Sequence, residues 1–327
     1  MKDSYGRTIS YLRLSITDRC NLRCRYCKPE KNPDLLAHEN ILTYEELHRL
    51  TRIAVNLGIK KVRVTGGEPL VRKGAISFLS GLVEIPELED VSLTTNGVLL
   101  KRKLVQLYES GIHRINISLD TLKQEKYFQI TGTDAFNDVW GAIEHARKLN
   151  FQPIKINMVV INGFNDDEVV DMAMLSQSYP YHIRFIEFMP VGAAQPDANI
   201  YTVPIRKIRN QLEERIGDLI SIPKEFNDGP SERYKFKNAL GEIGFIGSMS
   251  NHFCNSCNRL RLTANGFLRS CLLSDTQQDI KGPMRCGATD KELEGIFLET
   301  VRQKPAKHLL SIGVRTVISH QMSAIGG

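Results

Sequence analysis

Cys20, Cys24 and Cys27 stand in the run Cys20-Asn21-Leu22-Arg23-Cys24-Arg25-Tyr26-Cys27. Their Cys-x-x-x-Cys-x-x-Cys spacing closes a tight loop that offers three thiolates to one metal centre. Iron–sulfur clusters are ordinarily held by four Cys thiolates. A cluster held by three keeps one iron open to a substrate or cofactor, much as open zinc sites are catalytic and closed ones structural. A redox Cys-x-x-Cys pair needs only two thiols, and a zinc knuckle pairs two Cys-x-x-Cys units. Chance clustering is the remaining reading of the first trio.

A second trio, Cys254, Cys257 and Cys271, lies near the C-terminus, and Cys286 stands alone among the seven cysteines. A zinc ion completed by His252 or Cys286 is one reading of that trio. The intervening Asn258-Arg259-Leu260-Arg261-Leu262-Thr263 alternates strictly, so Arg259 and Arg261 share one strand face while Leu260 and Leu262 take the other. Two arginines beside three thiols suit an anion held by bidentate hydrogen bonds. Two solvated arginines are the plain alternative.

The elements that must position these groups are read from periodicity. Strands are predicted at Ile9–Thr17, Lys60–Thr65, Asp90–Thr95, Arg114–Asp120, Pro153–Ile161 and His182–Met189, with helices near 43–57, 74–84, 98–110, 135–149 and 165–178. Thr43 with Glu46 forms a capping box, and Gly58 a C-cap. Serial βα units imply a parallel sheet. Polar or glycine clusters at the strand ends, such as Thr65-Gly66-Gly67-Glu68 and Ser118-Leu119-Asp120, would converge on one face of a barrel. An open sheet would concentrate them at one switch point. The expected fold is therefore α/β, an incomplete (β/α)6 barrel over residues 1–217, with a smaller α+β extension over 218–327. Helices are expected at 200–217 and 289–303, with short strands and turns between them.

Composition sets the outer limits. The chain has 327 residues, 42% hydrophobic and 24% charged, and a formal net charge of +6. No basic–aromatic stripe favours nucleic acid, and no apolar run approaches a bilayer span. A strand-like run begins at Ile9, leaving little room for a leader ahead of it. A cytoplasmic protein is expected, and a disulfide framework does not suit so large a chain in a reducing compartment.

The first trio, placed after the first strand, resembles the radical S-adenosylmethionine superfamily, and Gly66-Gly67-Glu68-Pro69 resembles that superfamily's GGEP segment. Tyr26, Gly67, Glu68, Ser118 and Met189 match positions that touch S-adenosylmethionine. Adding the second trio, its arginine strand and the terminal Gly326-Gly327, the whole chain resembles the GTP 3′,8-cyclase family of molybdenum cofactor biosynthesis. The resemblance implies two [4Fe-4S] clusters, at Cys20/Cys24/Cys27 and Cys254/Cys257/Cys271. It implies GTP contacts at Arg13, Arg63, Thr94, Lys155, Arg259, Leu260 and Arg261, and a catalytic role for Gly326 and Gly327. As partners it implies a flavodoxin- or ferredoxin-type electron donor and a downstream cyclic pyranopterin monophosphate synthase, with neither nucleic acid nor membrane, and it leaves room for a homodimer. Lys28 departs from the apolar residue common after the third cysteine, and Cys286 reads as a plain structural thiol. Two rivals stay open: a peptide-modifying radical enzyme, and a zinc-stabilised nucleic-acid module.

Overall fold

A computed structural model describes residues 1–27, 35–191, 198–224, 228–310 and 322–326. Lys28 and Gly327 lie outside the described residues. The strands are β1 (Tyr11–Ser15), β2 (Lys61–Thr65), β3 (Asp90–Thr95), β4 (Ile115–Ser118), β5 (Ile154–Val160), β6 (Tyr181–Glu187), β7 (Leu219–Ile222), β8 (Glu232–Phe236), β9 (Glu242–Ile246), β10 (Arg259–Leu262), β11 (Phe267–Arg269) and β12 (Gln278–Asp279). All join one sheet in the order β12-β11-β10-β1-β2-β3-β4-β5-β6-β9-β8-β7. From β10 through β1–β6 to β9 every neighbour is parallel, and the outer pairs are antiparallel.

The expected α/β architecture is present, and the parallel part reaches beyond β1–β6. β10 pairs with β1, aligning Arg259 with Tyr11 and Arg261 with Arg13. β9 pairs with β6. Such long-range partners leave no local trace in periodicity.

Each parallel strand has two unlike faces. Leu12 and Leu14, Val62 and Val64, Ile115 and Ile117, and Ile154, Ile156 and Met158 are buried in one core with the surrounding helices. Helix Tyr44–Asn56 supplies Leu47, Leu50 and Ile53 to it, and begins at the capping box between Thr43 and Glu46. The opposite face carries Arg13, Arg63, Thr94, Ser118, Asn157 and Arg184, which line a single cavity. Ordinary parallel sheets are apolar on both faces because helices cover both. Here one face wraps a polar space, and side chains from strands β1 to β6, β9 and β10 all border it.

The helix Gln124–Thr131 was not expected from the sequence. Its approach is fixed by Glu168, which accepts from Thr121 Oγ1 and the Leu122 amide at 2.8 Å. Its far end offers the carbonyls of Ile130 and Thr131 to the amides of Arg25 and Arg23, at 2.9 and 3.0 Å. This short helix therefore holds the first cysteine loop.

Candidate active site

The cavity has a volume of about 290 Å³, and Cys20, Cys24, Cys27, Cys254, Cys257 and Cys271 all border it. None of the seven cysteines is in a disulfide, and the lone Cys286 is exposed and does not line the cavity.

Around the first trio, the Gly66-Gly67 turn clasps the segment leading to Cys20. Gly67 N donates to Thr17 O at 2.7 Å and Glu68 N to Arg19 O at 2.8 Å. A Cβ on Gly67 would sit 2.3 Å from the Arg19 carbonyl oxygen, so only glycine permits this approach. Glu68 is fully buried and does not line this cavity; its carboxylate accepts from Leu70 N, Thr95 Oγ1 and Asn96 N at 2.9, 2.9 and 2.7 Å. Burial outweighs those bonds and pushes its pKa up to about 7. Tyr26 lines the cavity and donates its hydroxyl to Asp120 Oδ2 at 2.7 Å, while Asp120 Oδ1 accepts from Val159 N at 2.8 Å. Burial raises Asp120 to about 6. Burial, then Cys27 and Asp120 nearby, lift the Cys24 thiol well above its ordinary range. Ser118 and Met189 complete this part of the wall.

The second trio stands among cations. Burial opposes ionisation of Cys257, but Arg259 and Lys304 bring it down to about 6. Lys304 is buried and donates to the carbonyls of Arg259 (3.0 Å) and Ser270. Arg7, paired with buried Asp3, donates to Cys254 O at 2.8 Å, Ala306 O at 3.1 Å and Pro305 O at 2.7 Å, tying the segments around Cys254 and Pro305 together.

Arg13, Arg63, Thr94, Arg259 and Arg261 line the same cavity, but Leu260 turns its side chain into the core behind β10 and borders no part of it. Lys155 is buried beside the lining and not on it; burial, then Arg184 and Arg63, lower it to about 5. Burial likewise holds Arg13 to about 10, with Arg63 and Arg259 adding repulsion that Tyr11 partly offsets. Gly326, at φ +68, places its carbonyl oxygen 3.3 Å from Arg13 Nε and 2.5 Å from Arg261 Nη1.

Sequence reasoning missed Arg184, Asp120, Asn157 and the two staples Arg7 and Lys304. Arg184 is buried on the cavity wall, lowered to about 9 by burial and then by Arg63. Its signal was present: a charge set between Ile183 and Phe185 in a central strand. Unpartnered buried polar atoms also face the cavity, among them Thr94 Oγ1, Asn157 Oδ1 and Ser248 Oγ. Such orphans are rare unless a ligand satisfies them.

The metal chemistry that fits can be tested on distances. Among the described residues, His252, Cys254 and His308 are the trio whose ligating atoms lie within 4.8 Å of one another. Neither cysteine trio draws in that tightly, whereas a tetrahedral zinc with Zn–S bonds near 2.3 Å needs its sulfurs about 3.8 Å apart. The all-thiolate donor set of each trio is the one that iron–sulfur clusters take.

Fold and site together define a radical S-adenosylmethionine protein, a class that works with an iron–sulfur cluster and S-adenosylmethionine. The Radical SAM superfamily profile matches residues 14–175, and the Molybdenum Cofactor Synthesis C profile matches residues 181–310. The chain is 47% identical over its whole length, and that of the relative, to the GTP 3′,8-cyclase of Moorella thermoacetica. It is 45% identical, again over 100% of both chains, to that of Pelotomaculum thermopropionicum. The chain belongs to the GTP 3′,8-cyclase family. Among solved structures, Streptococcus suis SuiB superposes with a TM-score of 0.63 at 14% identity, over 92% of this chain and 67% of that one, a likeness of fold. Among the described residues, no helix is long and apolar enough to cross a membrane.

Proposed function

We propose that the chain converts GTP to (8S)-3′,8-cyclo-7,8-dihydroguanosine 5′-triphosphate, the first step of molybdenum cofactor biosynthesis. The observation that carries this reading is that both cysteine trios and Arg13, Arg63, Arg184, Arg259 and Arg261 border one cavity. Full-length identity to the curated cyclases supports it. When bound, the iron–sulfur cluster and S-adenosylmethionine supply the electron-driven carbon–sulfur cleavage that opens the radical reaction.

The chain's own residues bind, orient and shield. Cys20, Cys24 and Cys27 would hold the first cluster, and Cys254, Cys257 and Cys271 would hold a second [4Fe-4S] cluster that serves the nucleotide. In this division residues 1–217 form the cofactor-binding part and also supply Arg13, Arg63 and Arg184 to the nucleotide, while 218–327 carry the second trio with Arg259 and Arg261. Gly67 admits the amino-acid end of S-adenosylmethionine against backbone, Tyr26 flanks its adenine with the hydroxyl fixed by Asp120, and Ser118 and Met189 complete its pocket. Glu68 acts through the turn that it braces.

The crowded guanidiniums repel one another until a polyanion arrives, so triphosphate binding relieves a strain already present. Thr94 joins that contact from the cavity wall, and Lys155, buried behind the wall, acts on it through its charge. Lys155 Nζ, neutral at neutral pH in the free chain, takes up a proton when the phosphates approach. Leu260 contributes through the strand that presents its two neighbours. Gly326 reaches Arg13 and Arg261 through its backbone carbonyl alone, and Gly326 and Gly327 together bring no side chain to the space that GTP needs. A flavodoxin- or ferredoxin-type donor reduces the first cluster, and a cyclic pyranopterin monophosphate synthase takes the product.

The test is incubation of anaerobically reconstituted protein with GTP, S-adenosylmethionine and a strong reductant, followed by identification of the nucleotide. The 3′,8-cyclised triphosphate is expected. Release of 5′-deoxyadenosine with GTP unaltered would overturn the assignment.

A further inference from the structure

His252 and His308 come from segments far apart in sequence, yet their ring centroids lie 4.3 Å apart. With Cys254 they bring ligating atoms within 4.8 Å of one another. A tetrahedral ion with metal–nitrogen bonds of about 2.0–2.1 Å and a metal–sulfur bond of about 2.3 Å sets its ligands roughly 3.3–3.6 Å apart. Two further observations point to a ligand. His308 is only 8% exposed, and its Nδ1 has no hydrogen-bond partner although it is buried in the cavity wall. The backbone on both sides is fixed in advance, because Arg7 donates at once to the carbonyls of Cys254, Pro305 and Ala306.

A cluster of several irons spreads its cysteines over separate metal atoms, so two imidazoles this near one thiol do not match that geometry. They match a single ion. We propose that His252, Cys254 and His308 form a mononuclear site for a zinc-type divalent cation in the chain that lacks its second cluster. Binding forms two metal–nitrogen bonds and one metal–sulfur bond and releases the Cys254 thiol proton to solvent. Three protein ligands leave the fourth tetrahedral position to a solvent molecule from the cavity. The site stands on its own. The corollary, that ion and cluster exclude one another because both claim Cys254, rests on the second-cluster reading.

The test uses cobalt(II) and zinc(II) on full-length, cluster-free protein carrying Cys20→Ala, Cys24→Ala and Cys27→Ala, so that only the second region binds. One equivalent of cobalt is expected, with tetrahedral visible bands and a thiolate charge-transfer band. His252→Ala with His308→Ala is expected to weaken binding at least about tenfold. Unchanged affinity in that double variant would overturn the site. Because variants can misfold, zinc X-ray absorption on the otherwise native cluster-free chain gives a second reading. Two nitrogens and one sulfur are expected, and an all-sulfur shell would overturn the site. Iron and sulfide are then supplied to zinc-loaded native protein. Uptake of about four irons per chain is expected while zinc stays bound, against about eight for two cubanes without zinc. Eight irons beside retained zinc would overturn the exclusion, and four irons without zinc would instead count against the second cluster.

Discussion

The two cysteine trios border one cavity in different company. Near Cys24 the neighbouring groups are other thiols and Asp120, and burial together with these groups pushes the thiol pKa up. Near Cys257 they are Arg259 and Lys304, and the thiol ionises at about 6. The second trio is itself uneven, since burial raises Cys254. The difference teaches that ligand count does not settle what a metal centre recruits. The carboxylate of Asp120 favours a cationic ligand. The guanidiniums beside Cys257 favour phosphate.

The comparison breaks most decisively at the cysteines. Cys24→Ser is expected to abolish cleavage of S-adenosylmethionine, whereas Cys257→Ser keeps measurable uncoupled cleavage and yields no cyclised product. Quantifying 5′-deoxyadenosine and nucleotide product in parallel checks this, and identical behaviour of the two variants would remove the contrast. Deleting Gly326 and Gly327 is expected to cut product formation by at least about 100-fold while GTP affinity stays within a few-fold, because Gly326 meets the arginines only through its backbone carbonyl. Turnover at the parent rate would reduce the tail to a bystander.

Smaller effects sharpen the picture. Arg259→Ala with Arg261→Ala is expected to weaken GTP by at least about 100-fold, since each charge-assisted bond is worth about 1.5–3 kcal/mol, and to leave S-adenosylmethionine affinity within about threefold. Calorimetry with each ligand separates the two. Lys155 gives a pH signature. Its value of about 5 in the free chain rises when an anion binds, so GTP binding takes up a proton and affinity falls as pH climbs above about 5. Titrations in buffers of different ionisation enthalpy should show one proton fewer in Lys155→Met, the titration of GTP itself cancelling between the two proteins. Asp120→Asn is expected to cost S-adenosylmethionine affinity a few-fold by weakening the hydrogen bond to Tyr26. An equal loss for GTP would show that the acidic and basic surroundings are not separate.

Much of this was legible before any coordinates. The strands β1–β6 announced themselves through apolar residues alternating along one face, and the cysteine spacing singled out the two trios that the cavity brings together. Arg184 was passed over because a single charge in a strand looks the same whether it faces water or a cavity. Helix Gln124–Thr131 is short, and its N-terminus has no side-chain cap to mark it. Arg7 and Lys304 act on carbonyls hundreds or tens of positions away, and no local pattern encodes such partners. Leu260 and Glu68 illustrate the converse, since adjacency in a motif does not bring a side chain to the cavity.

β10 lies against β1 and β9 against β6, so strands from the last third of the chain cover both margins of the sheet formed by the first two-thirds. During synthesis the early strands must emerge with unpaired backbone at each margin, a template for wrong partners until the ribosome has released nearly everything. Maturation therefore begins with a waiting period, and a chain cut short after β6 would be prone to aggregate before any iron could reach it.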